Sequence, residues 1–308
     1  MVKRRIHRHS ASNHALVPTI PGMRGHLFVD MPLAAVAISA TPAFGWPVLA
    51  AVGGLSVAIH SWGVVNPRSS LYMPVTWRLR REARDLALTF DDGPNPDATP
   101  RLLDVLATHG LSATFFVIGE HVARHPELAR RIRAGGHALG LHSHTHSRLF
   151  NCWTPGRVRS DLEACAMAVS QATGEAAPRL FRPPVGLKNP VVGHVAGRLG
   201  LCTVTWTARG RDIGASSTDA VLRRLAPSAR PGAILLLHDG YEPTRPGQRS
   251  AAVAVTEALA PLLSAAGMTS RALEVVDGRA RLRREVAMPE PAQSGLGPSA
   301  TAVPSASA

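Results

Sequence analysis

Residues 31–67 contain no Asp, Glu, Lys or Arg, and this run of 37 uncharged residues restricts the fold of the N-terminal region more than any other feature. A continuous helix of that length would measure about 55 Å, almost twice the roughly 30 Å hydrocarbon core of a bilayer. Helix breakers at Thr41-Pro42 and Gly45-Trp46-Pro47 divide the run near its middle. The sequence therefore predicts a membrane region at residues 25–67 that is not one uninterrupted helix.

Two arrangements of this membrane region are open. Either residues 46–65 form a single transmembrane helix, or a first span at about 27–43, which carries Asp30, pairs with a second span at 47–65 as a helical hairpin. Basic residues flank the apolar run on both sides, so the positive-inside rule favours a hairpin with both ends in the cytoplasm. A cleaved signal peptide is the third interpretation, but the apolar region is longer than a normal signal core.

The charge of the chain is strongly basic. It has 308 residues with 34 basic and 21 acidic side chains, a formal net charge of +13. We expect the basic segment 1–24 and the arginines after the apolar run to meet the anionic lipid of a bacterial inner membrane. Nucleic acid is not an expected partner, because the sequence contains no recognised nucleic-acid module. The three cysteines form no CxxC pair, which excludes a disulfide framework and a cysteine zinc site.

From residue 85 onward, short apolar runs alternate with amphipathic stretches. The seven strand-like runs are 86–90, 113–118, 138–141, 179–182, 202–206, 233–237 and 272–276. The helical candidates between them are 100–108, 122–134, 155–172, 190–199, 218–226 and 251–266. Such alternation predicts parallel strands with right-handed crossovers, in a number close to that of a closed barrel. We therefore expect an α/β domain at residues 84–286, followed by a disordered tail at 287–308 that is rich in Pro, Ser, Ala and Gly.

Two adjacent carboxylates, Asp91 and Asp92, follow the first predicted strand within the sequence TFDDGP at 89–94. Neighbouring side chains of a strand point to opposite faces, so both serve one site only if the strand ends near Phe90 and the chain then turns. Taken alone, the motif is also typical of a turn with capping aspartates.

Two histidines follow the third predicted strand, in the sequence HSHTH at 142–146. We expect His142 and His146 to lie on one face of a helical turn, a spacing that lets two imidazoles bind one metal ion. Together with one carboxylate they would form a three-ligand site with open positions for water and substrate. In a chain with 14 histidines, a solvated turn is the alternative for this cluster alone.

These two motifs, together with RPPVG at 182–186 and LLLHD at 235–239, resemble the polysaccharide deacetylases of carbohydrate esterase family 4, also called the NodB-homology domain. The resemblance covers roughly residues 84–277. It implies a distorted (β/α)7 barrel, preceded here by a transmembrane segment or hairpin. It also implies a metal-dependent hydrolase that removes N- or O-linked acyl groups from sugars.

Carried over by position, the resemblance implies Asp92, His142 and His146 as ligands of one divalent metal ion. Zinc is the default, but cobalt, manganese and nickel suit the same donors. The resemblance implies Asp91 as the catalytic base, Arg182 as the residue that holds it and His238 as the general acid. The chemistry agrees, because a divalent ion lowers the pKa of bound water to about 7 and a histidine titrates near neutrality.

Three further positions match the family less closely. Asp212 lies where the family has an aspartate that raises the pKa of the acid histidine, but Ile213 replaces the tryptophan that usually follows, and an ordinary loop aspartate is the alternative. Val185 replaces an aromatic residue whose backbone N–H serves the oxyanion, so a surface for packing a sugar ring is missing. Leu236 matches a residue that lines the acyl pocket, and an ordinary core leucine is an equal interpretation.

The predicted function is deacetylation of an amino-sugar glycan or a lipid-linked saccharide. In barrels of this class catalytic groups lie at the C-terminal ends of strands, and the predicted groups follow predicted strands. The alternative is a catalytically silent glycan-binding protein on the same scaffold. If both chain ends are cytoplasmic, a lipid-linked or nucleotide-linked amino sugar is the expected substrate, whereas a single span would place the site toward peptidoglycan or an exported polysaccharide.

Overall fold

The computed structural model describes residues 22–80, 83–214, 217–242 and 250–283. The predicted tail at 287–308 and nearly all of the basic segment at 1–24 lie outside these ranges. Within them, two N-terminal helices precede an α/β domain whose strands are joined mainly through helices.

The apolar run forms two helices, α1 (Gly22–Phe44) and α2 (Trp46–Val65), separated by Gly45 at φ 67°. They fold back on each other, because Asp30 of α1 and His60 of α2 lie 15 residues to either side of that glycine and are 2.7 Å apart. This is the hairpin form of the predicted membrane region. Among the described helices only α2 is long and apolar enough to cross a bilayer, whereas the apolar part of α1 is Val29–Ala40.

Eight parallel strands form the main sheet, in the order β1-β6-β5-β4-β3-β2-β8-β7. Their bounds are β1 Val75–Thr76, β2 Ala87–Asp91, β3 Ala113–Val117, β4 Ala138–Leu141, β5 Leu180–Phe181, β6 Cys202–Val204, β7 Ala208–Arg209 and β8 Ile234–His238. Every residue of β2 and β3 is buried, as expected for a parallel sheet covered on both faces. The predicted α/β barrel class is confirmed, as a curled sheet of eight strands.

Helices cover this sheet. They are α3 Ala98–Thr108, α4 Gly119–Arg124, α5 Pro126–Ala134, α6 Pro155–Thr173, α7 Pro190–Arg198, α8 Thr218–Leu225 and α9 Ser250–Ala265. The predicted helix at 122–134 is two helices, because Pro126 has no N–H to continue α4 and begins α5 instead.

The prediction of a barrel strand at 272–276 is wrong. This segment is β9 (Leu273–Val276), which pairs antiparallel with β10 (Arg279–Leu282) in a separate two-stranded ribbon. Asp277 and Gly278 connect the two strands at φ 51° and 71°, values that favour a tight hairpin turn. The sheet contains instead β1 and β7, two-residue strands that are too short to produce an alternating sequence pattern.

The hairpin is joined to the α/β domain at the C-terminal end of α2. Lys188, which is only 1% exposed, donates from Nζ to the Asn66 carbonyl at 2.7 Å and from its backbone N–H to the Val64 carbonyl at 3.2 Å. Thr205 donates its hydroxyl to the Pro67 carbonyl at 2.7 Å. A buried ammonium at the end of α2 also interacts favourably with the helix dipole.

A second connection runs through the ring of His60. Its Nε2 lies 2.7 Å from Asp30 Oδ1 and its Nδ1 lies 2.6 Å from the Tyr72 hydroxyl. A neutral ring with its proton on Nε2 satisfies both contacts, because it donates to the carboxylate and accepts from the phenol. Tyr72 is buried, so this chain of hydrogen bonds links both helices to the segment that leads into β1.

We predict that Lys188→Met destabilises the full-length chain. The substitution keeps an apolar stem but leaves the Asn66 carbonyl without its donor, which costs about 1–2 kcal/mol. Thermal unfolding in detergent, followed by circular dichroism, should show a midpoint lower by about 2–4 °C per kcal/mol. Arg198→Met, at the exposed end of α7, is the control; equal midpoints for the two variants would contradict the role given to Lys188.

Candidate active site

Seven of the nine predicted site residues line one cavity: Asp91, Asp92, His142, His146, Val185, Leu236 and His238. The other two, Arg182 and Asp212, bind Asp91 and His238. β2 ends at Asp91 and β8 ends at His238, and these two residues are paired in the sheet register. Asp92 follows with φ 70°, so the chain leaves the strand at that residue. The turn brings both carboxylates to the same edge, as the sequence predicts.

Asp92, His142 and His146 form a buried cluster of metal-ligand type. Their ligand atoms lie within 4.8 Å of one another, and Asp92 Oδ1 is 3.4 Å from the Nε2 atoms of both histidines. Atoms that bind zinc tetrahedrally at about 2.1 Å are about 3.4 Å apart, so these separations suit one shared ion. Asp92 Oδ1 is buried and has no hydrogen-bond partner among the described residues, which fits an oxygen that binds a metal.

The backbone orients the first imidazole. His142 Nδ1 lies 2.7 Å from the Arg182 carbonyl, which can only accept, so Nδ1 carries the proton. In the neutral ring Nε2 then presents its lone pair toward Asp92. Such a hydrogen bond on the far nitrogen is the usual way in which a protein fixes the tautomer of a metal-binding histidine.

The two histidines do not lie on a helical turn, so that prediction is wrong. Residues 142–146 form a loop in which Ser143 and His146 have φ 71° and 48°. Asp161 of α6 holds the loop by accepting the backbone N–H groups of His144 and Thr145 at 2.8 and 3.2 Å. The separation of the imidazoles therefore comes from two left-handed residues and a carboxylate of another helix.

Asp91 is bound differently from its neighbour. Its Oδ1 accepts from Arg182 Nη1 at 2.6 Å, while its Oδ2 lies 3.7 Å from His142 Nε2. Arg182 is 0% exposed, and its guanidinium also donates to Thr89 Oγ1 and to the carbonyls of Val204 and Thr205. One carboxylate of the pair thus belongs to the metal-type cluster, and the other keeps an oxygen beside it.

His238 and Asp212 form a second buried pair. Asp212 Oδ1 accepts from His238 Nδ1 at 2.9 Å, and Oδ2 accepts the His238 backbone N–H at 2.8 Å. Burial by itself lowers the pKa of His238, but the hydrogen bond and the charge of Asp212 outweigh it and raise the pKa to about 9. The ring is therefore protonated at neutral pH.

A cavity of about 290 Å³ opens above these groups. Leu236 is buried in its wall, whereas Val185 and Ile213 line it with exposed fractions of 53% and 45%. Val185 has φ 60°, and its backbone N–H donates to no acceptor among the described residues. Both positions flagged as departures from the family pattern therefore line the cavity.

Several residues of the site were not assigned from the sequence. Besides Asp161, they are Asp239, His121, Arg209, Arg211, Trp206 and Glu242. Asp239 is buried beneath the turn and accepts from Thr99 Oγ1 at 2.5 Å, while burial raises its pKa to about 7. Asp239 directly follows His238 in the LLLHD motif, so the motif contained it without indicating its role.

Comparison with known proteins gives consistent results. A family model described as polysaccharide deacetylase matches residues 78–204. A chitooligosaccharide deacetylase from Sinorhizobium fredii is 39% identical over 207 residues, covering 66% of this chain and 96% of the relative. A peptidoglycan-N-acetylglucosamine deacetylase from Bacillus cereus is 33% identical over 195 residues, covering 63% of this chain and 88% of the relative.

The fold has counterparts among solved structures. A family 4 carbohydrate esterase from Streptomyces lividans, solved in complex with acetate, has a TM-score of 0.58 and 30% identity, covering 66% of this chain and 99% of that one. Fold and sequence thus agree with the resemblance seen in the sequence motifs. The chain belongs to the polysaccharide deacetylase family, the NodB-homology enzymes of carbohydrate esterase family 4, and is a hydrolase of that family.

Proposed function

We propose that this protein is a metal-dependent deacylase that removes N-acetyl, or other N- or O-linked acyl, groups from a saccharide containing an amino sugar. The observation that carries the proposal is the division of two adjacent aspartates between two tasks. Asp92 lies in the cluster with His142 and His146, while Asp91 is held by Arg182 with one oxygen facing that cluster. The relatives named above act on amino-sugar substrates.

Asp92, His142 and His146 would hold one divalent ion, with zinc as the first expectation and cobalt, manganese or nickel as alternatives. When bound, such an ion lowers the pKa of water and polarises the acyl carbonyl. The protein orients the donors: the Arg182 carbonyl fixes the His142 tautomer, and Asp161 holds the loop that carries His146.

Asp91 acts as the general base in this proposal. Arg182 occupies Oδ1, so Oδ2 is the oxygen that accepts a proton from the attacking water. Arg182 is a positioning residue, because it is fully buried and reaches the reaction only through Asp91. A positioned carboxylate of this kind contributes typically about 10²–10⁴-fold to a rate.

His238 acts as the general acid, and Asp212 positions it. Since Nδ1 is hydrogen-bonded to Asp212, the proton for the leaving amine or alcohol comes from Nε2. The unpaired Val185 N–H is a donor for the oxyanion that develops on the acyl carbon. Leu236, buried in the cavity wall, supplies apolar surface for the acyl methyl group.

A catalytically silent glycan-binding protein is the alternative. Its site would need neither an acid nor a base with a defined proton path. The pairing of Asp91 with Arg182 and of His238 with Asp212 favours the enzyme, because these buried pairs fix which atom gains or loses a proton. We further propose that the α1–α2 hairpin anchors the enzyme to a bacterial inner membrane, since α2 exposes large apolar side chains such as Trp46, Val57 and Trp62.

We predict that Asp91→Asn separates metal binding from turnover. The full-length variant should keep about one metal ion per chain and lose about 10²-fold or more of acetate release, because only the base is removed. His142→Ala should lose both metal and turnover. Metal analysis and the release of acetate from acetylated chito-oligomers, with and without chelator, test this prediction. Full activity in Asp91→Asn would reject Asp91 as the base. A wild-type chain without metal would reject Asp92, His142 and His146 as a metal site.

We predict a pH effect in Asp212→Asn. His238 is active as an acid when protonated, so kcat/KM should fall as the pH rises through its raised pKa. The amide removes the negative charge that holds the proton, and the alkaline limb should therefore move to lower pH. A pH–rate profile of both proteins measures the shift. An unchanged alkaline limb, with activity merely reduced, would indicate that Asp212 does not tune His238.

A further inference from the structure

Two arginines at the cavity have no part in the mechanism above. Arg209 and Arg211 both line the cavity and are exposed. Arg209 ends β7 and is paired in register with Leu236 of β8, while Arg211 directly precedes Asp212. The two cations therefore lie beside the strand that carries the general acid, on a part of the cavity wall that has no other assigned function.

The charges around these arginines do not neutralise them. Each acidic side chain that lines the cavity has its own partner: Asp91 has Arg182, Asp92 has the two histidines and Glu242 has Arg148. Asp212, which lies behind them, has His238. In the described part of the chain, neither Arg209 nor Arg211 forms an ion pair or a side-chain hydrogen bond. Segments 215–216 and 243–249, which lie outside the described residues, contain no Asp or Glu in their sequence.

Unpaired guanidinium groups beside a reaction centre favour an anionic ligand. A guanidinium offers a planar set of N–H donors that matches phosphate oxygens, and two guanidinium groups suit a phosphate mono- or diester. A neutral oligosaccharide would give neither guanidinium an ionic partner in the complex. The composition of this wall thus favours a sugar that carries a negative group next to the acyl group that is removed.

The hairpin bears on the source of that negative group. The cavity loop that contains Val185 continues into Lys188, whose ammonium and N–H bind the last carbonyls of α2. The cavity therefore lies three residues from the attachment of an apolar hairpin. Polyprenyl lipids carry sugars through a phosphate or diphosphate, so the phosphate of a sugar on such a carrier would come close to this wall of the cavity if the hairpin lies in the same bilayer.

Resting on the deacylase function proposed above, we propose that the substrate is an N-acyl amino sugar esterified to phosphate and that Arg209 and Arg211 bind the phosphate. The hydrolysed bond is the amide: water adds to the acyl carbon, the carboxylic acid leaves with the hydroxyl, and the amine takes the proton. The phosphate ester is unchanged in the reaction and serves recognition.

Binding tests the phosphate site without turnover. The full-length Asp91→Asn chain in detergent would be titrated calorimetrically with N-acetylglucosamine and with its 1-phosphate. Because phosphate also binds zinc, each titration is repeated on metal-free protein. We expect the 1-phosphate to bind about tenfold tighter or more in both forms, and Arg209→Gln or Arg211→Gln to remove most of this preference.

Arg198→Gln is the charge-matched control, since Arg198 is exposed at the end of α7 and away from the cavity. This variant removes one positive charge from the same basic protein. If it also lost the preference for the 1-phosphate, the preference would come from general electrostatic attraction, and the assigned site would be overturned. Equal affinity for the sugar and its 1-phosphate in the parent chain would overturn it too.

Turnover distinguishes the sources of phosphate. The active full-length chain would be offered chitotetraose, a nucleotide-linked N-acetylglucosamine, and a polyprenyl phosphate-linked N-acetylglucosamine in phosphatidylcholine vesicles. We expect kcat/KM of the phosphate-bearing substrates to fall about tenfold more than that of chitotetraose in each arginine variant. A higher kcat/KM for the vesicle substrate supports a lipid source, and a higher value for the nucleotide substrate supports a soluble one.

Failure of this proposal and failure of the deacylase function are separable. Release of acetate from chitotetraose that is as efficient as from both phosphate substrates, with equal losses in the variants, overturns phosphate recognition and leaves the deacylase intact. No acetate from any of these N-acetyl substrates by the metal-loaded chain rejects the deacetylase activity, while the calorimetric comparison still decides whether the arginines bind phosphate.

Discussion

Arg182 brings a full positive charge into the interior of the sheet, where an ion without partners is very unfavourable. Its guanidinium donates four hydrogen bonds, to Asp91, to Thr89 and to the backbone carbonyls of Val204, which ends β6, and Thr205, which follows it. The planar group also lies 4.1 Å above the ring of Phe116. Strands β2, β5 and β6 are thereby held in one arrangement at the edge where the reactive groups meet. Loss of either partner would leave a buried charge uncompensated, so the site and this part of the fold depend on the same ion pair.

The environment of each carboxylate determines what it can do chemically. Asp91 and Asp92 are neighbours in sequence, yet Arg182 saturates one oxygen of the first while an oxygen of the second has no partner except two imidazoles. Asp212 instead stabilises the charge of His238 and raises its pKa. The three carboxylates thus differ in role because each has different partners: Asp91 has a guanidinium, Asp92 has two imidazoles and Asp212 has the His238 ring. Arg209 and Arg211 also line the cavity, and neither forms an ion pair among the described residues. We therefore propose that a ligand supplies their counterion.

The hairpin and the cavity share a short piece of chain. The loop after β5 lines the cavity at Val185 and binds the end of α2 at Lys188, and Thr205, whose carbonyl receives Arg182, also binds Pro67. The position of the hairpin is therefore coupled to the walls of the site through a few direct hydrogen bonds. A flexible linker would allow many positions of the cavity relative to the hairpin, whereas these hydrogen bonds restrict that position.

Much of the site could be predicted because it lies at strand ends. Asp91 and His238 follow apolar runs whose length and composition mark buried parallel strands, and such ends meet at one edge of the sheet. The roles of the individual groups came from the family resemblance, not from periodicity. The breaks near residue 45 likewise predicted two helices. The loop at 142–146 was misread, since a spacing of four fits a helical turn and also a loop held by Asp161, and spacing does not distinguish them.

The sequence by itself determined the strand–helix alternation, the two apolar helices and the motifs that supply the reactive groups, because these depend on local periodicity and on the chemistry of neighbouring residues. Only the tertiary structure decided that residues 273–276 leave the sheet and that β1 and β7 enter it, since two-residue strands have no pattern of their own and pairing depends on distant partners. It also decided which charges are paired. Coulombic partners such as Asp91 and Arg182 are 91 residues apart, so no local pattern records which arginines remain free to bind a ligand.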